Sequence, residues 1–392
     1  MRALVERSAV GPTAGMLFDL VRGGRATTRT QLGELTGLSR TAVTARVGAL
    51  VSAGLLLPGE EMASTGGRPP GSLEVNPAAG SVLALAIGRS RVQLGVYDLT
   101  GAELASDAVE HEAGADAATL MPQVVARARA LMASAPSAGE LVATGLSLPG
   151  AVDEVRVMSI DSPVIPGWDG VELAPYLARL GDAPVVIGND ADVLAYSELL
   201  GRGRSLRDAL VLKASTGLGL GIVADGQVLK GHLGAAGEIG HTRVARAAGL
   251  PCRCGATGCL ETIAGGWALV AELASSGTEV AHVRDLVAQA GRGNADARSL
   301  LRRSGREIGE VLAMAINLLN PEAVVIGGDM ALAHDLVAAG IRESVYAHAA
   351  ALATRDLRFL PTAYGERSGL VGCAALALDG VLHPAAVDVR LG

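Results

Sequence analysis

Residues 237–241 read Gly237-Glu238-Ile239-Gly240-His241, and residues 252–261 read Cys252-Arg253-Cys254-Gly255-Ala256-Thr257-Gly258-Cys259-Leu260-Glu261. Three thiolates within eight residues plus an upstream imidazole make the Cys3His set that structural zinc takes, and the glycines between them give tight turns that let the sulfurs converge. The expectation is one zinc per chain, held by His241, Cys252, Cys254 and Cys259. All four positions are then protein ligands, so the metal folds the loop and keeps no open site for catalysis. The sequence has no Cys-X-X-Cys pair, which argues against a redox centre. Cys373 lies in the apolar run 370–378 and is expected in the core.

Outward from this loop, strands and helices alternate. Val82 to Ile87 and Val92 to Tyr97 read as strands, with Asp98-Leu99-Thr100-Gly101 turning into a third. An amphipathic helix from Thr119 to Ala133 precedes the buried strand Leu141 to Leu148, which enters Pro149-Gly150. The strand Pro184 to Ile187 ends at Gly188-Asn189-Asp190 and passes into the helix Ala191 to Leu200. Leu210 to Lys213 feeds the glycine-rich stretch Ser215 to Gly221, read as a ligand-facing loop, and the helix Asp296 to Leu319 leads to the strand Ala323 to Ile326 with Gly327-Gly328. Glycines at strand ends in an α/β pattern place a ligand in a cleft at the strand termini. Two similar strand clusters imply two lobes around that cleft.

The front of the chain is different. Residues 13–57 read as three short helices: Leu17, Leu20 and Val21 form the apolar face of the first, and Thr28-Arg29-Thr30-Gln31 is a capping box opening the second, with Leu32 and Leu35 inward and Gly37 closing it. Ser39 caps a third helix whose inward side chains are Val43, Val47 and Leu50. That spacing is a helix-turn-helix, and its third helix would turn Arg40, Thr41, Thr44 and Arg46 toward base edges and phosphates. A strand starting at Leu55-Leu56-Leu57 and a return at Leu73 to Val75 make it a winged helix-turn-helix. The intervening loop carries Gly66-Gly67-Arg68-Pro69, where Arg68 is presented on extended backbone suited to a narrow minor groove.

Composition limits the alternatives. Of 392 residues, 49% are hydrophobic and 19% charged, with net charge -7 and four Cys, which excludes a disordered chain or a disulfide scaffold. Residues 1–72 hold eight Arg against five acids, a balance of +3 that leaves -10 for the remainder, so only the front module is suited to an anionic partner. No apolar run reaches the 18 or so residues of a span, and no signal-peptide core opens the chain, so a cytoplasmic protein with no membrane partner is expected. Lys213 and Lys230 are the only lysines, and no function is read from them.

The stretch 237–261, together with Asn189-Asp190, the Gly217 to Gly221 segment and Asn320-Pro321 to Gly328, resembles the ROK family of repressors and sugar kinases. The resemblance implies an α/β fold: a winged helix-turn-helix at 1–75 followed by a two-lobed actin-like ATPase (ribonuclease H-like) body with a zinc loop. The first lobe is expected at 80–190 with the C-terminal helix 368–392, and the second at 191–367. By the same resemblance Gly150, Asn189, Asp190, Glu238, His241 and Glu261 contact a sugar, with Asp190 at the position of the kinase's general base. Carboxylates and an amide suit sugar hydroxyls, and zinc on one ring nitrogen of His241 would fix the face it presents to the sugar. Asn189-Asp190 alone also reads as a helix N-cap.

The nucleotide side departs from the kinases, whose first strand is followed by Asp-X-Gly-Gly-Thr. Here the stretch is Ala86-Ile87-Gly88-Arg89-Ser90: the acid that positions magnesium is gone, and Arg89, itself able to pair with phosphate, replaces a glycine. The expected function is therefore a DNA-binding regulator, a repressor of sugar-metabolism genes, sensing a sugar or sugar derivative through a degenerate kinase body, with no catalytic residue and Asp190 a vestigial base. The alternative is an active ATP-dependent sugar kinase with a regulatory DNA-binding arm. The partners expected are a double-stranded operator and a second copy of the chain, as homodimer or homotetramer, since one helix-turn-helix reads few base pairs.

Overall fold

The computed structural model describes residues 11–61, 71–112, 114–135, 138–160, 167–202 and 205–392. At the front, α1 (Ala14–Arg22), α2 (Arg29–Thr36) and α3 (Arg40–Ser52) are each opened by a hydroxyl, from Thr13, Thr28 and Ser39, accepting a first-turn backbone N–H. Both bonds of the Thr28/Gln31 capping box are present. Leu17, Leu32, Val43, Val47 and Leu50 are buried as expected, but Leu35 is 53% exposed. Gly37, at φ 70°, turns the chain sharply after α2, and Leu38 beyond it is partly buried against the core. The wing follows as β1 (Leu56–Glu61) paired antiparallel with β2 (Gly71–Val75), tied back to the module where Leu73 N–H donates to the Thr27 carbonyl at 2.8 Å.

Two five-stranded sheets form the body. The first contains β3 (Ser81–Ile87), β4 (Arg91–Asp98), β5 (Glu103–Glu110), β6 (Leu141–Leu148) and β9 (Val185–Asn189), in the order β5-β4-β3-β6-β9. Helix α4 (Ala117–Ala133) covers one face, and the small pair β7 (Val152–Asp153) and β8 (Met158–Ser159) with α5 (Ala174–Leu177) fills the β6 to β9 crossover. After α6 (Asp190–Gly201), the second sheet contains β10 (Ala209–Ala214), β11 (Leu218–Ala224), β12 (Gln227–Val228), β13 (Ala323–Gly327) and β14 (Arg358–Pro361), in the order β12-β11-β10-β13-β14. Each sheet runs three antiparallel strands and then two parallel ones, so one connectivity is used twice.

The second lobe's core lies between its sheet and α7 (Glu261–Ala264), α8 (Gly266–Ser275), α9 (Val283–Gly291), α10 (Ala295–Leu319), α11 (His334–His348) and α12 (Ala351–Thr354). Helix α13 (Ser368–Leu382) returns to the first sheet, packing on β3 and β6 and against α6, and α14 (Pro384–Leu391) packs on α1. Cys373 is fully buried there. The glycine-rich stretch 215–221 corrects the expectation of a loop. Only its first residues turn, and Leu218 onward is strand β11, hydrogen-bonded to β10. A Cβ at Gly221 would lie 2.5 Å from the Ala191 carbonyl, so this glycine lets α6 sit on the sheet rather than exposing backbone to a ligand. Among the described residues, no single helix is long and apolar enough to cross a membrane.

Candidate functional site

The loop between β12 and α7 folds back on itself through bridges Arg243 to Cys259 and Pro251 to Thr257. Its ligand atoms converge as the spacing predicts: one donor atom from each of His241, Cys252, Cys254 and Cys259 lies within 4.8 Å of every other. Cys254 Sγ is 3.8 Å from Cys259 Sγ, and Cys252 Sγ is 3.7 Å from His241 Nδ1. Metal–sulfur bonds of about 2.3 Å in a tetrahedron put neighbouring sulfurs about 3.8 Å apart, so the donor set fits zinc. The other imidazole nitrogen, Nε2, faces away from the thiols, 3.9 Å from Glu238 Oε2.

Beside this loop, at the ends of β3, β6, β9 and β10, lies a cavity of about 400 Å³ whose lining includes Gly150, Asn189, Asp190, Glu238, His241 and Glu261 together. These residues are not equally available to a ligand. Asn189 Oδ1 caps α6 by accepting from Ala191 N–H at 2.7 Å, while its Nδ2 donates to the Gly150 carbonyl at 2.8 Å. Glu261, 5% exposed, accepts from Leu218 N–H at 2.9 Å and from Trp267 Nε1 at 3.0 Å, one bond on each oxygen. Glu238 is the more accessible carboxylate. Burial raises its pKa, partly offset by His241.

Asp190 has a partner that sequence reading missed. Lys213 Nζ, from β10, lies 2.8 Å from Asp190 Oδ2. Burial works to lower the lysine pKa, and the carboxylates of Asp190, Asp329 and Glu261 together outweigh it, leaving a net rise. The other lysine, Lys230, pairs with Glu154 at 2.7 Å. The one available signal was their rarity in a chain that otherwise carries its positive charge as Arg. Asp192, in the first turn of α6, is 4% exposed, and burial raises its carboxyl to about 7 against the pull of Lys230, with Glu154, Glu238 and Asp190 adding to the rise.

The turn joining β3 to β4 brings Ala86, Gly88, Arg89 and Ser90 to the same cavity, facing Thr216 and Gly217 of the second lobe. Ser215 hydrogen-bonds Asp329 there. On the front module, Arg40, Thr41 and Thr44 are exposed on the first turns of α3, whereas Arg46 is half-buried and its guanidinium folds back on the Ala42 carbonyl at 3.3 Å. Arg68 lies outside the described residues.

Comparison with known proteins agrees with this architecture. The glucokinase of Halalkalibacterium halodurans is 33% identical over 252 residues, covering 60% of this chain and 76% of that one. The DNA-binding transcriptional dual regulator NagC of Escherichia coli is 27% identical over 367 residues, covering 91% of this chain and 89% of that one, so the likeness reaches into the front module. A crystal structure of a ROK family transcriptional regulator, a homolog of the E. coli MLC protein, matches with TM-score 0.80 at 23% identity over 96% of this chain and 98% of that one, a likeness of fold. The model of the ROK family matches residues 82–380, most of the chain, and the protein belongs to that family.

Proposed function

We propose that the protein is a DNA-binding transcriptional repressor that responds to a sugar or sugar derivative held in the cleft at Gly150, Asn189, Asp190, Glu238, His241 and Glu261, with one structural zinc on His241, Cys252, Cys254 and Cys259. The zinc would fix the loop that supplies Glu261 and orient the imidazole whose Nε2 faces the cleft. DNA contacts come from Arg40, Thr41 and Thr44, with Arg46 and Arg68 as further members of the face. Two copies read two half-sites, as homodimer or homotetramer. The limits expected from sequence serve as a working division: 1–75 for the DNA-binding unit, 80–190 with 368–392 for the first lobe, and 191–367 for the second. A cytoplasmic location goes with this role.

One observation carries the reading. Helix α13 begins in the cleft, where Ser368 and Gly369 line the cavity. It ends about 20 Å away by helical rise, where Arg22 of α1 donates to the Leu378 carbonyl at 3.2 Å and to Asp379 Oδ1 at 3.2 Å. The next helix adds a bond from Gly15 N–H to Asp388 Oδ1 at 2.7 Å. A ligand that moves the first turn of α13 therefore moves the platform under the helix-turn-helix, and a tenfold change in operator affinity needs a difference of only about 1.4 kcal/mol between states.

The cleft is proposed to have lost phosphoryl transfer. Ala86 offers no carboxylate to position magnesium, and the Asp190 carboxylate is already paired with Lys213. The second reading, an active sugar kinase with a DNA-binding arm, is favoured by the retained Asp190 and by the glucokinase relative. A coupled ATP assay over a sugar panel separates the two, with operator binding measured on the same samples.

A further inference from the structure

A cavity of about 310 Å³ lies beneath the front module and shares no lining residue with the cleft. Arg22 at the end of α1, Thr100 of the β4–β5 turn, Leu200 of α6 and Leu378 of α13 line it, together with Gln227 and Val228 of β12. The edge strand of the second sheet therefore faces the base of the helix-turn-helix across this space. That strand is stiffly held. It joins β11 through the two-residue turn Asp225-Gly226, at φ 51° and 76°, the left-handed pair that closes tight hairpins. Gly226 N–H donates to the Arg207 carbonyl at 2.7 Å and Asp225 N–H to Asp208 Oδ1 at 3.1 Å, which fixes the turn to the α6–β10 connection.

Two residues beyond β12, Lys230 crosses to the first lobe, where its Nζ lies 2.7 Å from Glu154 Oε1 in the β7–β8 turn. Asp153 Oδ1 shapes that turn by accepting from Val155 N–H and Arg156 N–H, both at 3.0 Å. The same ammonium lies 5.7 Å from the ring centroid of Tyr196, and Tyr196 packs on the apolar core that holds Leu17 of α1 and Leu378 of α13. Asp192, Tyr196 and Leu200 are spaced four apart and form one row along α6, from its cleft end to the cavity beneath α1. Lys230 also offsets the charge of buried Asp192, so its loss leaves Asp192 and Glu154 opposed as like charges between the lobes. We propose that Lys230 and Glu154 form a latch between the two lobes, and that β12 and the α6 row carry its state to the DNA-binding module by a route separate from α13. The effect on DNA rests on the regulator reading, whereas the link from latch to α1 can be measured without DNA.

The test is hydrogen exchange read by mass spectrometry on the full-length zinc-loaded chain, for the parent, Lys230→Met, Glu154→Gln and the double variant. Each single variant should exchange about two- to fivefold faster at 226–230 and also at 14–23, the worth of a half-exposed ion pair. The double variant should exceed neither, because both changes break one contact. Lys230→Arg, which keeps the charge, should match the parent at 14–23. Glu110→Gln breaks a different pair between the lobes, Arg284 with Glu110 at 3.6 Å, and should leave 14–23 unchanged. Circular dichroism and zinc content check folding, and Glu154, half-exposed, can be changed without opening the core. Operator affinity, read by anisotropy on the same samples, should shift by a similar factor. Faster exchange confined to 226–236 would overturn the proposal, as would an equal rise at 14–23 in Glu110→Gln, which would mark a general loosening of the lobes. A parent that binds no operator overturns the regulator reading, and the route to α1 then stands or falls on exchange at 14–23.

Discussion

Lys213 Nζ lies 2.8 Å from Asp190 Oδ2, so the carboxylate proposed to stand at the position of a kinase base is already paired with a cation from the second sheet. The pair joins the start of α6 to β10 across the cleft. Replacing Lys213 by Met should leave a partly buried carboxylate without its counter-charge and cost about 1–3 kcal/mol in chemical denaturation. It should not create kinase activity, because Ala86 still offers nothing to magnesium. Phosphorylation should require at least Ala86→Asp with Arg89→Gly, read by the coupled ATP assay.

Asp192 gives a pH dependence whose sign follows from burial. Its carboxyl is raised from 3.8 to about 7, so between those values the folded chain holds a proton that the unfolded chain has released. Its contribution to stability is therefore greatest at low pH, falls as pH rises through that window and is flat above it. Asp192→Asn should be more stable than the parent at pH 8, by an amount on the order of 1–4 kcal/mol, and the difference should shrink toward pH 4. Equal urea midpoints for the two proteins at pH 8 would refute this.

Elemental analysis should find one zinc per chain in the purified parent and none in Cys254→Ala, and the variant should have a lower melting temperature and lack the proposed sugar response, because Glu261 follows Cys259 by two residues on the same loop. Zinc retained at one per chain in the variant would remove Cys254 from the ligand set.

Arg40→Ala should weaken operator binding about tenfold or more without lowering stability, since Arg40 is exposed at the first turn of α3. Arg68→Ala should act most strongly on A·T-rich sites. Arg46→Ala should have the smaller effect, given its bond to the Ala42 carbonyl. Gel-shift titration at fixed salt ranks the three.

Much of this was legible in the chain because it rests on local chemistry. The Thr28/Gln31 capping box, the Ser39 cap and the metal spacing each depend on residues within a few positions of one another, and all form as read. What sequence reading missed is long-range. Lys213 meets Asp190 only through the pairing of two lobes, and Lys230 meets Glu154 in the same way. Of the glycines read as a ligand loop, Gly217 and Gly219 line the cavity, whereas Gly221 serves the close packing of α6, which requires the same absence of Cβ. Leu35 was placed inward by helical spacing alone but is exposed, whereas Leu38, just past the turn at Gly37, packs against the core.

A ligand in the cleft and the operator are expected to act on one another through α13. Fluorescence anisotropy of labelled operator, titrated with protein in the presence and absence of the tightest-binding sugar or sugar derivative, measures this directly. The ligand is expected to weaken operator affinity about tenfold or more. Glu238→Ala should remove the effect through the cleft, and Arg22→Ala, which cuts the contact with Leu378 and Asp379, should reduce it while the ligand still binds. Operator affinity unchanged by a ligand that saturates the cleft would contradict it.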